Sequence, residues 1–252
     1  MSDKNKNKIL GVFVTKQSRK EVLEDILKDI EKREKFIHIV SLNPENLVVA
    51  SENPEFKKVL QTAQIRIIDG TGIVLAAKVL RVDTGERYPG VDLMENLMEE
   101  ANNRRLRVLL IGGRPNLAIS LAECYRKKYP EAKFFGLEGI SDIKNPKKSE
   151  EKTIFTIVSD FKPHLVFVAF GSPDQELWIE RHKDQFAGCV CMGVGGGFDF
   201  AAGLVSRAPL WLRQIGLEWL YRLFHQPWRW RRQVRLGKFI IFILKEVSYK
   251  IF

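Results

Sequence analysis

The chain has 252 residues, 45% of them hydrophobic, and a formal net charge of +10; that length and apolar share allow a sizeable core and exclude a disordered chain. Three cysteines without a Cys-x-x-Cys pair, and four histidines in separate segments, exclude a disulfide framework and a zinc site and fit a reducing cytosolic compartment. Met1 to Lys8 lacks the apolar centre of a secretion signal, and the run Phe239 to Leu244 is far short of the roughly 20 residues that span a bilayer.

In chain order, Ile9 to Thr15 reads as a first strand, and Ser18-Arg19-Lys20-Glu21 is a capping box opening a helix with Val22, Leu23, Ile26, Leu27 and Ile30 on one face. Phe36 to Leu42 is a second strand, running into Ser41-Leu42-Asn43-Pro44, where Pro44 suits a first helical turn and Asn43 or Ser41 caps it. Asn53-Pro54 is a second cap of this kind. The next strand, from Ile65, stops at Asp69-Gly70-Thr71-Gly72. A carboxylate there stands at the carboxyl end of a strand, the side on which open α/β sheets take ligands. Asp-Gly is equally an ordinary turn dipeptide. Thr71 to Leu80 reads as a short buried helix, and Arg81 to Gly90 as an irregular segment whose Arg87 is either a partner of Asp69 or a solvated loop charge. A helix follows from Val91 to about Asn103.

Leu106 to Ile111 is an apolar strand ending in Gly112-Gly113-Arg114-Pro115, before a helix with Leu117, Leu121, Cys124 and Tyr125 on one face. Strand, glycines and helix start present backbone N–H groups to a phosphate, but three spaced glycines are absent, so no nicotinamide cofactor is expected. A strand near Lys133 to Phe135, a polar linker from Ser141 to Ser149 and a helix carrying Ile154, Ile157 and Val158 continue the alternation. His164 to Phe170 is the most hydrophobic strand; after it Ser172 suits an N-cap, Pro173 the first helical position, and Gln175 either closes a capping box or contacts substrate. Cys189 to Val194 is the last strand, followed by Gly195-Gly196-Gly197-Phe198-Asp199, a close-approach loop for a ligand or a tight turn bonded by Asp199.

From Ala208 onward Trp, Arg and Leu recur at helical spacing. Ten Lys or Arg against Glu218 and Glu246 give the last 46 residues a balance of +8, so an anionic partner is expected there. A helix beginning at Pro227 carries Arg229, Arg232 and Arg235 among tryptophans, a composition suited to a membrane interface or to stacked single-stranded nucleic acid.

Read together, Ser41-Leu42-Asn43-Pro44, Asp69-Gly70-Thr71-Gly72, Gly112-Gly113, Gly171-Ser172-Pro173-Asp174-Gln175-Glu176, Gly195-Gly196-Gly197-Phe198-Asp199 and Leu217-Glu218-Trp219-Leu220-Tyr221-Arg222 resemble the WecG/TagA/CpsF family of glycosyltransferases over nearly the whole chain. The resemblance implies inverting sugar transfer from a UDP-sugar donor to a polyprenyl-diphosphate-linked sugar acceptor, without a metal or other cofactor. It implies Asp69 as general base, Asn43 and Ser41 in the same pocket, Arg87 holding the diphosphate or acceptor, and Gln175 touching the transferring sugar. Arg222, Arg229 and Arg232 would close over the site, and Gly112, Gly113 and Asp199 complete the expected substrate-binding set. Ser41 stands where the family usually has Thr, Pro89 where Thr is common, and Ile140 where an aromatic would stack on uracil.

The expectation is therefore an α/β chain with a Rossmann-like sheet flanked by helices: a catalytic core over residues 1–206, in two lobes dividing near 105, and a basic helical membrane-facing appendage over 207–252. The expected reaction moves N-acetylmannosamine from its UDP donor to N-acetylglucosamine-diphospho-polyprenol in cell-wall polymer biosynthesis of the teichoic acid type. The expected location is the inner face of the cytoplasmic membrane, held peripherally. N-acetylmannosaminuronate, glucose or galactose would use the same scaffold. A nucleic-acid-binding protein and a non-catalytic nucleotide-binding module are the readings of other classes; nucleic acid is not the expected partner, and a homo-oligomer is left open.

Overall fold

The computed structural model describes residues 7–214, 216–225 and 230–251. The chain opens with a tight antiparallel hairpin of β1 (Lys8–Ile9) and β2 (Val12–Phe13). Leu10 and Gly11 turn it at φ of 49° and 79°. The stretch expected as a single strand from Ile9 to Thr15 thus folds back on itself and buries both Ile9 and Val12. In α1 (Arg19–Lys32) the predicted capping box forms, Ser18 Oγ accepting the Glu21 N–H while the Glu21 carboxylate accepts the Ser18 N–H.

β3 (Ile37–Leu42) leads into α2 (Pro44–Glu52) and α3 (Pro54–Thr62), each opened by an Asn-Pro pair whose asparagine caps the helix. β4 (Ile65–Ile68) is followed by α4 (Thr71–Leu80) and α5 (Gly90–Asn103). Alternation then continues through β5 (Arg107–Gly112), α6 (Leu117–Lys128), β6 (Lys133–Leu137), α7 (Lys148–Phe161), β7 (Leu165–Ala169), α8 (Asp174–Arg181) and β8 (Val190–Gly193). Four helices complete the described chain: α9 (Gly197–Ala201), α10 (Leu210–Gln214), α11 (Glu218–His225) and α12 (Trp230–Ile251). The expected start of the last helix at Pro227 lies outside the described residues.

Six strands form one parallel sheet in the order β4-β3-β8-β7-β5-β6, a Rossmann-like arrangement. Alternate residues of each strand face opposite layers. Ile37, Ile39, Val108, Leu110 and Phe167 pack against α1, α5 and α6. On the other face Val40, Leu42 and Ile68 meet α2, α3, α4 and α12, while Leu109, Ile111, Val166 and Val168 meet α7 and α8. α12 enters that layer through Phe239 and Ile243. Two expected burials change: Cys124 is exposed, the inner face of α6 being Leu117, Ala118, Leu121, Ala122 and Tyr125. α4 buries Ile73, Ala76, Ala77 and Leu80 but leaves Leu75 and Val79 exposed.

With all six strands parallel, their carboxyl ends share one rim. Asn43, Asp69, Gly112, Gly113, Gly171 and Val194 all lie at or just beyond it. No helix among the described residues is long and apolar enough to cross a membrane.

Candidate active site

The β3 and β4 ends are locked together. Asp69 N–H donates to Leu42 O at 2.9 Å, extending the ladder by one bond past the strand and fixing where the carboxylate starts. The loop that follows runs against the Pro44 ring: a Cβ on Gly70 would stand 2.8 Å from Pro44 Cδ, and one on Gly72 2.6 Å from Pro44 Cγ. Glycine is required at both places because no other residue fits beside that ring. On the far side α5 begins against the same corner. The position of a Cβ on Gly90 lies 3.2 Å from Ser41 Oγ and 3.8 Å from Asp69 Oδ2, so the Ser41 hydroxyl and the Asp69 carboxylate face one small volume.

Asn43 caps α2, its Oδ1 accepting the Asn46 N–H at 2.8 Å. Asn46, buried, was not among the expected site residues. It donates to Ser41 O at 2.9 Å and accepts from Ser172 Oγ at 3.0 Å, tying the β3 end to the β7 end. The Asn-x-x-Asn spacing after β3 is its only sequence signal. Ser172 therefore serves Asn46 instead of capping α8, whose N-cap is Pro173.

Arg87 is brought to Asp69 through the backbone. Tyr88 N–H donates to Ile68 O at 2.7 Å, placing residues 87–88 as a short continuation beside β4. The guanidinium then spends its three nitrogens in three directions: Nε donates to Asp69 O at 3.1 Å, one terminal nitrogen to Arg213 O at 3.0 Å, and the other lies 3.6 Å from the Glu218 carboxylate. Arg87 joins the end of β4 to α10 and α11. Thr71 Oγ1 adds a second tie, donating to Gly216 O at 3.3 Å.

The other half of the rim is built from glycine loops. Gly112 and Gly113 both adopt positive φ, 87° and 89°, and Gly113 N–H donates to Ala169 O. Beside them opens a cavity of about 280 Å³ lined by Gly112, Gly113, Gly139, Ile140, Lys144 and Phe170. Arg114 Nε donates to Asp199 Oδ1 at 2.6 Å, bridging the β5 and β8 loops. Asp199 was expected and Arg114 was not, although it follows the glycine pair directly in sequence. Gln175 is buried between the β7 and β8 loops and accepts from Gly171 N–H and Gly195 N–H. Among the described residues no three His, Cys, Asp or Glu side chains converge as a metal site. Arg222 and Arg232 lie on α11 and α12, and Arg229 lies outside the described residues.

The sequence profile of the glycosyl transferase WecG/TagA/CpsF family matches residues 7–250. An N-acetylglucosaminyldiphosphoundecaprenol N-acetyl-beta-D-mannosaminyltransferase of Bacillus spizizenii is 33% identical over 211 residues, 82% of this chain and 78% of that protein. Proteins of the same name from Bacillus subtilis and Staphylococcus aureus are 31% and 32% identical, covering 84% and 85% of this chain and 80% and 81% of their own lengths. A rim of strand-end loops around an aspartate, matched to that profile almost end to end, places the chain in the WecG/TagA/CpsF family of glycosyltransferases.

Proposed function

We propose that this glycosyltransferase moves N-acetylmannosamine from UDP-N-acetylmannosamine to N-acetylglucosamine-diphospho-polyprenol, in assembly of a cell-wall polymer of the teichoic acid type. The carrying observation is that Asp69 and Ser41 share one corner of the carboxyl rim that also carries the glycine loops of β5, β7 and β8, in a chain whose relatives are named as N-acetylmannosaminyltransferases.

In this reading Asp69 takes the proton of the acceptor hydroxyl, and the freed oxygen attacks the anomeric carbon from the face opposite the diphosphate. The bond from that carbon to the UDP oxygen breaks, and its electron pair leaves with UDP. A carboxylate placed for this step contributes about a hundred- to ten-thousand-fold in rate. Arg222, Arg229 and Arg232 meet the charge that gathers on the leaving group, so the transfer runs without a metal, and the Gly112-Gly113 turn lets the donor approach closely. Asn43 lines the acceptor pocket, Asp199 reaches the donor side through Arg114, and Arg87 holds Asp69 to the appendage.

Residues 207–252 act as the membrane-facing unit of a peripheral protein on the inner face of the cytoplasmic membrane. Exposed Ile240, Ile241 and Leu244 on α12 stand among Arg235, Lys238 and Lys245. Each such basic residue contributes about 1 kcal/mol at an anionic surface.

The test is UDP release from a panel of UDP-sugars offered with a short-chain lipid-diphospho-N-acetylglucosamine acceptor. Release with UDP-N-acetylmannosamine, lost at least a hundredfold in Asp69→Asn and indifferent to chelator, is the expected result. Release with another donor would reassign the sugar, and an undiminished Asp69→Asn enzyme would remove Asp69 as the base.

A further inference from the structure

The turns that end β7 and β8 meet on one buried side chain. Gln175, 3% exposed, accepts the Gly171 N–H at 3.1 Å and the Gly195 N–H at 3.0 Å on a single Oε1, which occupies both lone pairs of that oxygen. Its amide nitrogen donates to Glu176 Oε1 at 2.7 Å. Glu176 is 2% exposed, and its Oε2 has no hydrogen-bond partner among the described residues. A Cβ on Gly193 would stand 2.5 Å from Gln175 Nε2, so the β8 backbone presses directly on the amide.

An amide has two faces of similar shape and opposite hydrogen-bonding sense. Turned by half a rotation, the Gln175 NH2 group would confront two N–H donors, and both turns would lose their acceptor. The two N–H donors favour the oxygen face, and Glu176 Oε1 completes the selection by supplying the acceptor that the amide NH2 needs on the other side. A carboxylate in this position would be a buried charge whose desolvation outweighs the hydrogen bonds from Gln175, the Ser172 hydroxyl and its own backbone N–H, whereas an uncharged acid accepts such bonds at far smaller cost.

We infer that Glu176 is a positioning residue that acts through Gln175: as an uncharged acid it orients the Gln175 amide, which in turn fixes the spacing of the Gly171 and Gly195 turns on the donor side of the site. Burial accordingly pushes the Glu176 carboxyl above the ordinary carboxylate range. The ionisable neighbours on the elements around it are His38 of β3 and Glu180 one turn on, and His38 Nδ1 pairs with Glu180 at 3.4 Å. That hydrogen bond holds the Glu180 carboxyl below its ordinary range, so the charge in this layer settles on Glu180. The inference rests on the sugar-transfer reading above for its catalytic consequence.

The experiment compares wild type, Glu176→Gln and Glu176→Leu by kcat and KM for the donor and by amide exchange at Gly171 and Gly195. Glu176→Gln, uncharged and of the same shape, is expected to keep kcat within about threefold and to leave both amides protected. Glu176→Leu removes the acceptor and is expected to lose about a hundredfold in kcat, the scale of an ångström-sized misplacement, with both amides exchanging faster and a smaller change in KM. A Glu176→Gln enzyme as impaired as the leucine variant would overturn the inference, as would a fully active Glu176→Leu. If the leucine variant does not fold, the glutamine variant still decides, because loss of protection at Gly171 or Gly195 in it contradicts the brace. A wild-type protein that releases no UDP from any donor counts against the transfer reading, and the amide exchange then judges the brace separately.

Discussion

Beyond Asp69 a single proline ring decides which residues can follow. Because a methyl group at position 72 would lie 2.6 Å from Pro44 Cγ, Gly72→Ala must displace either α2 or the Asp69 loop. The expected cost is about 1–3 kcal/mol, the usual price of overpacking, measured by urea unfolding, with a parallel fall in transfer rate as the carboxylate moves from the Ser41 corner. His164 offers a residue-scale prediction away from the site. Its Nδ1 accepts the Arg107 N–H at 3.0 Å, which requires a neutral ring, and burial, with Arg33 and Arg107 nearby, holds its pKa down to about 4. The unfolded chain takes up that proton near the ordinary value of 6.5, so stability falls as pH drops from there toward about 4. His164→Gln should flatten the decline of the melting midpoint across this window; equal slopes for both proteins would contradict it.

At the scale of elements, α10 and α11 are tied to the end of β4. Arg87 and Glu218 are both largely shielded, with side-chain exposures of 20% and 10%, so removing one charge leaves the other poorly compensated. Glu218→Gln is expected to lower transfer by about tenfold, equivalent to about 1.4 kcal/mol, while UDP binding persists; an unchanged kcat would show that this contact does not hold Asp69 in place. Arg87→Lys should not rescue function, since an ammonium cannot donate in three directions from a planar fork. Ending the chain at residue 206 removes Phe239 and Ile243, 3% and 6% exposed, from the layer beside α2 and α4. That loss is about 4 kcal/mol, so the shortened protein should keep its sheet by circular dichroism, melt earlier and transfer no sugar.

Much of this was legible from sequence, for a physical reason. Four of the six sheet strands, β3, β4, β5 and β8, run into Asn-Pro, Asp-Gly or paired glycines, and a parallel strand buried on both faces has no polar alternation to blur it. The hairpin was not legible, because Gly11 alone interrupts an otherwise continuous run from Ile9 to Val14. Glu176 reads as a solvated acid in a first helical turn; its burial depends on β3 and β8 lying side by side, although they are far apart in the chain. Arg87 finds its appendage partner 126 residues later, a separation no local pattern carries.

For the whole molecule, the uneven charge makes a direct prediction. Vesicles containing phosphatidylglycerol should sediment the full chain at low ionic strength and release it near 1 M salt, where the Debye length is about 3 Å. The chain ended at residue 206 should stay in solution. A full chain that ignores anionic vesicles at low salt would remove the membrane-facing role of 207–252.

The two ends of the chain close the same layer. The hairpin buries Ile9 and Val12 there, α12 adds Phe239 and Ile243, and the Leu10 N–H donates to Glu246 Oε2 at 2.9 Å across 236 residues. On the ribosome, Glu246 is made 236 residues after Leu10. The half of the core around β5, β6 and β7 can close while synthesis continues, but the half that carries Asp69 lacks its α12 contacts until residues 230–251 have been made. A nascent chain therefore lacks part of the layer that carries Asp69 until the segment proposed to hold it at the membrane has been made.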